Sequence, residues 1–192
     1  MNVVIIDYGA GNIQSIRFAL GRLGITATLS DDTTTIKNAS HVIFPGVGEA
    51  SSAMEKLREK KLDKLLPKLT QPVLGICLGM QLMCNHTEEG DTIGLGIFDT
   101  AVVRFKTNLN VPHMGWNTVE CKGLLFKDID ANSHFYMVHS FYAVPNDNMV
   151  GACTYDVPFA AALAKDNFYG TQFHLEKSGA VGARLLQNFL AL

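Results

Sequence analysis

In Gly75-Ile76-Cys77-Leu78-Gly79 a cysteine stands between two glycines, at the end of an apolar run that opens at Val73. A strand that turns at once into a helix pushes the Cys77 side chain out at the sheet edge, and flanking glycines let backbones approach closely enough for so tight a turn. The same turn places Cys77 at a helix N-terminus, where unpaired N–H groups and the helix dipole favour thiolate over thiol. About a hundred residues further on, Gly170 to His174 reads as a short strand, and Glu176 follows two positions past the imidazole. In an extended segment those two side chains share one side. His174 then takes the thiol proton while Glu176 holds the other ring nitrogen and so fixes the tautomer. Taken alone, Cys77 reads more readily as a core cysteine and His174–Glu176 as a surface ion pair. Taken together, Cys77, His174 and Glu176 specify nucleophilic acyl transfer.

The elements that must position these groups follow from hydrophobic periodicity. Val3 to Asp7 reads as a buried strand, Asn12 to Leu23 as a helix ended by Gly24, Thr26 to Ser30 as the next strand, and His41 to Phe44 as another that breaks at Pro45-Gly46-Val47-Gly48. Glu49 to Leu66 has the apolar spacing of one amphipathic helix, and Val73 to Ile76 is the strand that delivers Cys77. Alternation of strands and helices predicts an α/β fold with an open, mainly parallel sheet and helices on both faces. In the second half the strand-like pieces Gly96 to Phe98, Val102 to Phe105, Trp116 to Glu120, Phe135 to His139 and Ala160 to Ala164 succeed one another with little helix, which predicts an antiparallel extension. Ser178 to Leu190 closes the chain as a helix with Ser178 available as N-cap. The segments at Pro45, Cys77 and Gly170 all follow strands, so they gather at one sheet edge, where open α/β folds place their sites.

Composition narrows the function classes. With 192 residues, 47% hydrophobic and 18% charged, the chain suits one domain over 1–192 rather than disorder. A net charge of −2 without a dense basic block offers no electrostatic footprint for nucleic acid. Lys56 to Lys64 mixes both signs, as a solvated helix face does. Cys77, Cys84, Cys121 and Cys153 form no C-x-x-C pair and no zinc-type cluster, so neither structural disulfides nor a metal is expected. Asp7 interrupts the first apolar run far short of a signal peptide, and no stretch approaches the roughly 18 apolar residues of a membrane span. A cytoplasmic location is the expectation.

Gly75-Ile76-Cys77-Leu78-Gly79-Met80-Gln81, with the later Gln172-Phe173-His174-x-Glu176, resembles the class I, triad-type glutamine amidotransferases. Among these, Ile6-Asp7-Tyr8-Gly9-Ala10-Gly11-Asn12, Phe44-Pro45-Gly46-Val47-Gly48, Pro112-His113-Met114-Gly115-Trp116-Asn117 and Val138-His139-Ser140 are similar, in order and over nearly the whole chain, to the glutaminase subunits of imidazole glycerol phosphate synthase, of histidine biosynthesis. The resemblance implies a class I glutamine amidotransferase-like, flavodoxin-like fold. It makes Cys77 the nucleophile, His174 the general acid/base and Glu176 its orienting carboxylate. It maps the oxyanion hole to Gly46, Val47, Gly48 and the N–H of Leu78, and the grip on the amino-acid end of glutamine to Gln81 and Glu89, with backbone from Ser140 and Phe141. Glu88 lies beside Glu89, and either reads as a surface charge on its own. One departure stands out: the family usually has proline between the histidine and the glutamate, and Leu175 stands there. Leucine does not fix φ, so a looser His174 loop with the triad intact is expected.

The resemblance further implies hydrolysis of glutamine to glutamate and ammonia through a thioester, with no cofactor, and transfer of the ammonia to a cyclase subunit. That partner would be a (β/α)₈ barrel bound as a heterodimer, which makes imidazole glycerol phosphate and an aminoimidazole carboxamide ribotide. Asn12, Trp116, Tyr136 and Lys177 are the candidates for the interface. A glutaminase serving another synthase, such as anthranilate, aminodeoxychorismate or pyridoxal phosphate formation, and a non-catalytic scaffold are the alternatives. His41, His86, His113, His134 and His139 carry no catalytic role from spacing alone.

Overall fold

Val3–Ile6 forms the first strand, β1, and all four of its residues are buried. Val4 and Ile6 enter one hydrophobic core and Val3 and Ile5 the other, because a parallel strand covered on both faces must be apolar at every position. The computed structural model describes residues 1–131 and 133–192.

β1 pairs in parallel with β2 (Thr28–Ser30) and β3 (His41–Gly46), β3 with β4 (Val73–Cys77), and β4 with the strand Phe168–Thr171. One face is covered by α1 (Ile13–Arg22) and the closing helix Gly179–Leu190, whose Ile16, Leu20, Leu185 and Phe189 enter the same core. The other carries α2 (Thr33–Lys37), α3 (Ala50–Glu59) and α4 (Leu62–Leu65), through Ile36, Met54, Leu57 and Leu62. α5 (Leu78–Leu82) springs directly from β4 and is wholly buried. The remaining strands are β5 (Cys84–Thr87), β6 (Thr92–Ile93), β7 (Phe98–Arg104), β8 (His113–Thr118), β9 (Glu120–Cys121), β10 (His134–His139), β11 (Phe141–Ala143), β12 (Met149–Tyr155), β13 (Val157–Lys165) and β14, the Phe168–Thr171 strand; the closing helix is α6. The large sheet runs β2-β1-β3-β4-β14-β13-β11-β7-β5-β6 and stays open, antiparallel from β14 through β13 and β11 to β7.

Several boundaries differ from the sequence reading. The helix expected over Glu49 to Leu66 is two, because Lys61 adopts a left-handed φ of 59° between α3 and α4. Glu49 itself caps α3, accepting from the N–H groups of Ser51 and Ser52. The strands expected over Gly96 to Phe98 and Val102 to Phe105 are replaced by one, β7, which runs from Phe98 to Arg104 and leaves Gly96, Ile97 and Phe105 outside, and β8 begins earlier than Trp116. β8 and β10 form a separate two-stranded ribbon instead of extending the sheet. The strand expected to reach His174 stops at Thr171, and Leu175–Lys177 forms a 3₁₀ turn. Ser178 does not cap α6 with its side chain. Its hydroxyl instead donates to the His174 carbonyl at 2.7 Å and accepts from the Tyr136 N–H at 3.0 Å.

Among the described residues no helix is long and apolar enough to cross a membrane. All four cysteines are free thiols.

Candidate active site

Cys77 is the last residue of β4 and the first boundary of α5, with φ 54° and ψ −111°. A non-glycine residue at positive φ is strained, and here the strain comes with the reversal from strand to helix. The reversal presses α5 onto β3: a β-carbon on Gly79 would collide with the Phe44 carbonyl. Glycine is therefore required by close approach of two backbones.

The sheet order carries His174 to Cys77. β14 lies beside β4 with Thr171 opposite Ile76, so the chain leaves β14 next to the elbow. His174 is 3% exposed; its Nδ1 is 2.8 Å from Glu176 Oε1, and its ring lines the same cavity as the Cys77 side chain. With Nδ1 committed to the carboxylate, Nε2 is the atom left for the sulfur. Burial pulls the imidazole pKa down, but the neighbouring Cys77 sulfur and the Glu176 carboxylate bonded to the ring outweigh it and raise the value to about 10. The expectation that an extended segment sets His174 and Glu176 on one side is corrected here. Only His174 is extended, at φ −85° and ψ 94°, and Glu176 returns to the ring from within the 3₁₀ turn. The looseness expected of Leu175 also meets a well-anchored turn: the His174 N–H donates to Tyr136 O at 3.0 Å, and Leu175 is 1% exposed in the core.

A cavity of about 320 Å³ opens beside the sulfur, lined by Val47, Gly48, Cys77, Leu78, Gln81, Glu89, Pro112, Val138, His139, Ser140, Phe141 and His174. Nine of the eleven residues assigned from sequence to catalysis, oxyanion or substrate line it, and it suits a free amino acid in size. The other two stand just behind: Gly46 pairs with Cys77 across the β3–β4 ladder, and Glu176 backs His174. The neighbouring carboxylates separate. Glu88 accepts from the Arg104 N–H at 2.8 Å, whereas Glu89 lines the cavity and accepts from the Ala50 N–H at 3.0 Å. Burial raises the Glu89 pKa above the usual carboxylate value.

Behind the cavity lies a polar chain that spacing did not reveal. Gln172 Nε2 reaches Cys77 Sγ at 3.8 Å, and Gln81 Nε2 donates to both Gln172 Oε1 and Phe141 O at 2.9 Å. Phe141 O also accepts from His139 Nδ1 at 2.8 Å, and His139 Nε2 lies 3.2 Å from His113 Nδ1. Burial pushes His139 down to about 3, so it is a neutral ring with Nδ1 as donor and Nε2 as acceptor. Phe141 O thus has both lone pairs occupied, and any backbone help from Phe141 to a ligand comes from elsewhere on that residue. Gln81 and Phe141 are already candidates for the grip on glutamine, and Gln172 and His139 stand in segments singled out for other reasons, but nothing in their spacing links the four.

Three of the four interface candidates meet on one surface. Trp116, 56% exposed, packs edge-on against Tyr136 at 5.9 Å between ring centres, and Lys177 Nζ stands 5.7 Å over the Tyr136 ring. Asn12 is the N-cap residue of α1, which packs on the Leu175–Lys177 turn.

The elbow, the imidazole–carboxylate pair and the open mixed sheet together define a class I glutamine amidotransferase. The family profile described as glutamine amidotransferase class-I matches residues 4–192. Solved structures agree on the fold: a glutamine amidotransferase superposes with a TM-score of 0.79 at 19% identity over 99% of this chain and 98% of its own, and PurLQS from Thermotoga maritima with 0.74 at 18% over 99% and 97%. Imidazole glycerol phosphate synthase subunit HisH of Bacteroides fragilis (strain YCH46) is 52% identical over the whole of both chains. The subunit of the same description from Haemophilus influenzae (strain ATCC 51907) is 48% identical over 99% of this chain and 97% of its own, and that of Escherichia coli (strain K12) 45% over the whole of both. The chain belongs to the HisH subunits of imidazole glycerol phosphate synthase, within the class I glutamine amidotransferases.

Proposed function

We propose that this chain hydrolyses the side-chain amide of glutamine at Cys77 and supplies the ammonia to the cyclase subunit of its synthase, in histidine biosynthesis. One observation carries the reading: a strained elbow cysteine and a buried imidazole line one cavity, and a carboxylate holds the imidazole at 2.8 Å from the side of its other nitrogen. The sulfur of Cys77 attacks the amide carbon. The oxyanion is held by backbone donors of Gly46-Val47-Gly48 and Leu78. His174 protonates the departing nitrogen, the C–N bond breaks, and ammonia leaves a γ-glutamyl thioester; His174 then takes a proton from water, whose oxygen displaces the sulfur and releases glutamate. Glu89 offers a carboxylate to the α-ammonium of glutamine. Gln81 has spent its Nε2 on Phe141 and Gln172, so its amide oxygen is the atom left for the same ammonium, and backbone N–H groups at Ser140 and Phe141 suit the α-carboxylate.

Ammonia has to reach its acceptor without escaping to solvent, and the apolar surface of Met114, Trp116 and Tyr136 beside the cavity suits the cyclase subunit, a (β/α)₈ barrel in a heterodimer. Lys177 borders that surface, and Asn12, at the start of α1, is the fourth candidate. Turning of a peptide in Gly46-Val47-Gly48 on assembly would make turnover partner-dependent.

Cys77→Ala is the test. In the assembled synthase it should lower glutamine-dependent synthesis by at least about a thousandfold while leaving synthesis from added ammonium salts within about twofold of the wild type. Retention of glutamine hydrolysis would refute the triad, and loss of the ammonia-driven reaction would refute the division of labour.

A further inference from the structure

The segment Asp7-Tyr8-Gly9-Ala10-Gly11-Asn12 joins β1 to α1. β3 pairs with β1 no further than Ile43 opposite Ile5, yet on its other side it stays paired with β4 as far as Gly46 opposite Cys77. Past Ile43 a side chain takes over from the strand: the Tyr8 hydroxyl donates to the Pro45 carbonyl at 2.8 Å. Tyr8 is 1% exposed and its ring packs on Phe44 at 5.5 Å. Three positions on, Gly11 has φ +113° and lies so near Pro45 that a β-carbon would stand 2.8 Å from Pro45 Cβ. Proline at 45 and glycine at 11 are therefore matched surfaces, and the loop between β1 and α1 grips Pro45 at its carbonyl and at its ring.

The next span is held at its far end as well. Glu49 caps α3, and the Ala50 N–H is bonded to Glu89. Between these anchors stand Gly46, Val47 and Gly48. Because a peptide unit is planar, an oxygen held at Pro45 also fixes the direction of the Gly46 N–H. Rotation is then confined to the three peptides between Gly46 and Glu49. Burial first, and the neighbouring Cys77 second, hold the Tyr8 phenol well above its ordinary pKa, so it remains a donor.

We propose that Tyr8 is a positioning residue for the oxyanion: by pinning the Pro45 carbonyl it sets the plane from which the Gly46-Val47-Gly48 donors are aimed at the adduct on Cys77. The proposal rests on the reading that this span serves the oxyanion. A donor that acts on the tetrahedral adduct and not on bound glutamine affects kcat and leaves KM alone.

The experiment compares wild type and Tyr8→Phe in the assembled synthase, by glutamine turnover and by alkylation of Cys77 with iodoacetamide, in which an S–C bond forms, iodide leaves and no oxyanion develops. Tyr8→Phe should lower kcat about tenfold, with KM and the alkylation rate within about twofold of wild type. Unchanged kcat, or an equal fall in alkylation, would overturn the proposal by making Tyr8 a packing residue. Gly11→Ala, which pushes Pro45 from the other side, should give the same split, and serves if Tyr8→Phe does not fold. Full turnover by Cys77→Ala would instead remove the reading beneath the proposal.

Discussion

His174 and His139 are both buried histidines at the same cavity, and they hold opposite protonation states because their partners differ. His139 faces a backbone carbonyl and a second imidazole, neither of which repays the desolvation of a charge, and its pKa falls to about 3. His174 faces a sulfur and a carboxylate, which overcome the same desolvation and lift it to about 10. Folding thus raises the pKa of His174 from an ordinary 6.5. The stability this contributes is complete below about pH 6.5 and disappears as pH rises through about 10. Thermal unfolding of wild type and His174→Gln should therefore differ most at pH 6 and progressively less at pH 8 and 10. A gap that stayed constant over that range would mean that the ring does not hold its proton.

The short elements around the cavity matter more than the long ones. The turn Leu175–Lys177 delivers Glu176 to the ring, and it is anchored through Ser178, Tyr136 and the buried Leu175. His174 already has the extended backbone that a following proline requires, and Leu175 opens the turn, where proline's missing N–H is tolerated. Leu175→Pro should keep kcat within about threefold of wild type. It should also lower stability by on the order of 1 kcal/mol, since the leucine side chain leaves the core. A gain in turnover of orders of magnitude, measured by glutamate release, would show that the leucine loosens the turn after all.

For the whole molecule the decisive feature is that the β8–β10 ribbon stands apart from the main sheet. Its inner face supplies His113 and His139, and its outer face leaves Met114 63% and Trp116 56% exposed next to the cavity mouth, which Pro112 and Val138 line. Large exposed aromatic side chains of this kind carry much of the energy of interfaces. Trp116→Ala should weaken binding of the cyclase subunit by about tenfold or more, measured by titration of one subunit with the other, with iodoacetamide alkylation of Cys77 in the free chain unchanged. Binding of undiminished strength would move the interface elsewhere.

The elbow at Cys77, the His174–Glu176 spacing, the two-sided parallel strands and the flanking helices were legible in the residues themselves. Each is a local matter of glycine placement, periodicity and turn chemistry, and a local cause leaves its mark within a few positions. What the tertiary structure decided are meetings between residues far apart in sequence: Tyr8 with Pro45, Gln81 with Phe141 and Gln172, Glu89 with Ala50, His113 with His139. No pattern near any one of them announces its partner, because the partner is chosen by strand order and register. The same holds for Glu88 and Glu89, adjacent and chemically alike, of which the fold turns one to Arg104 and the other to the cavity. Even the pairing of His174 with its carboxylate depends on it, since Glu176 reaches the ring from a tight turn and not along the strand that its spacing suggested.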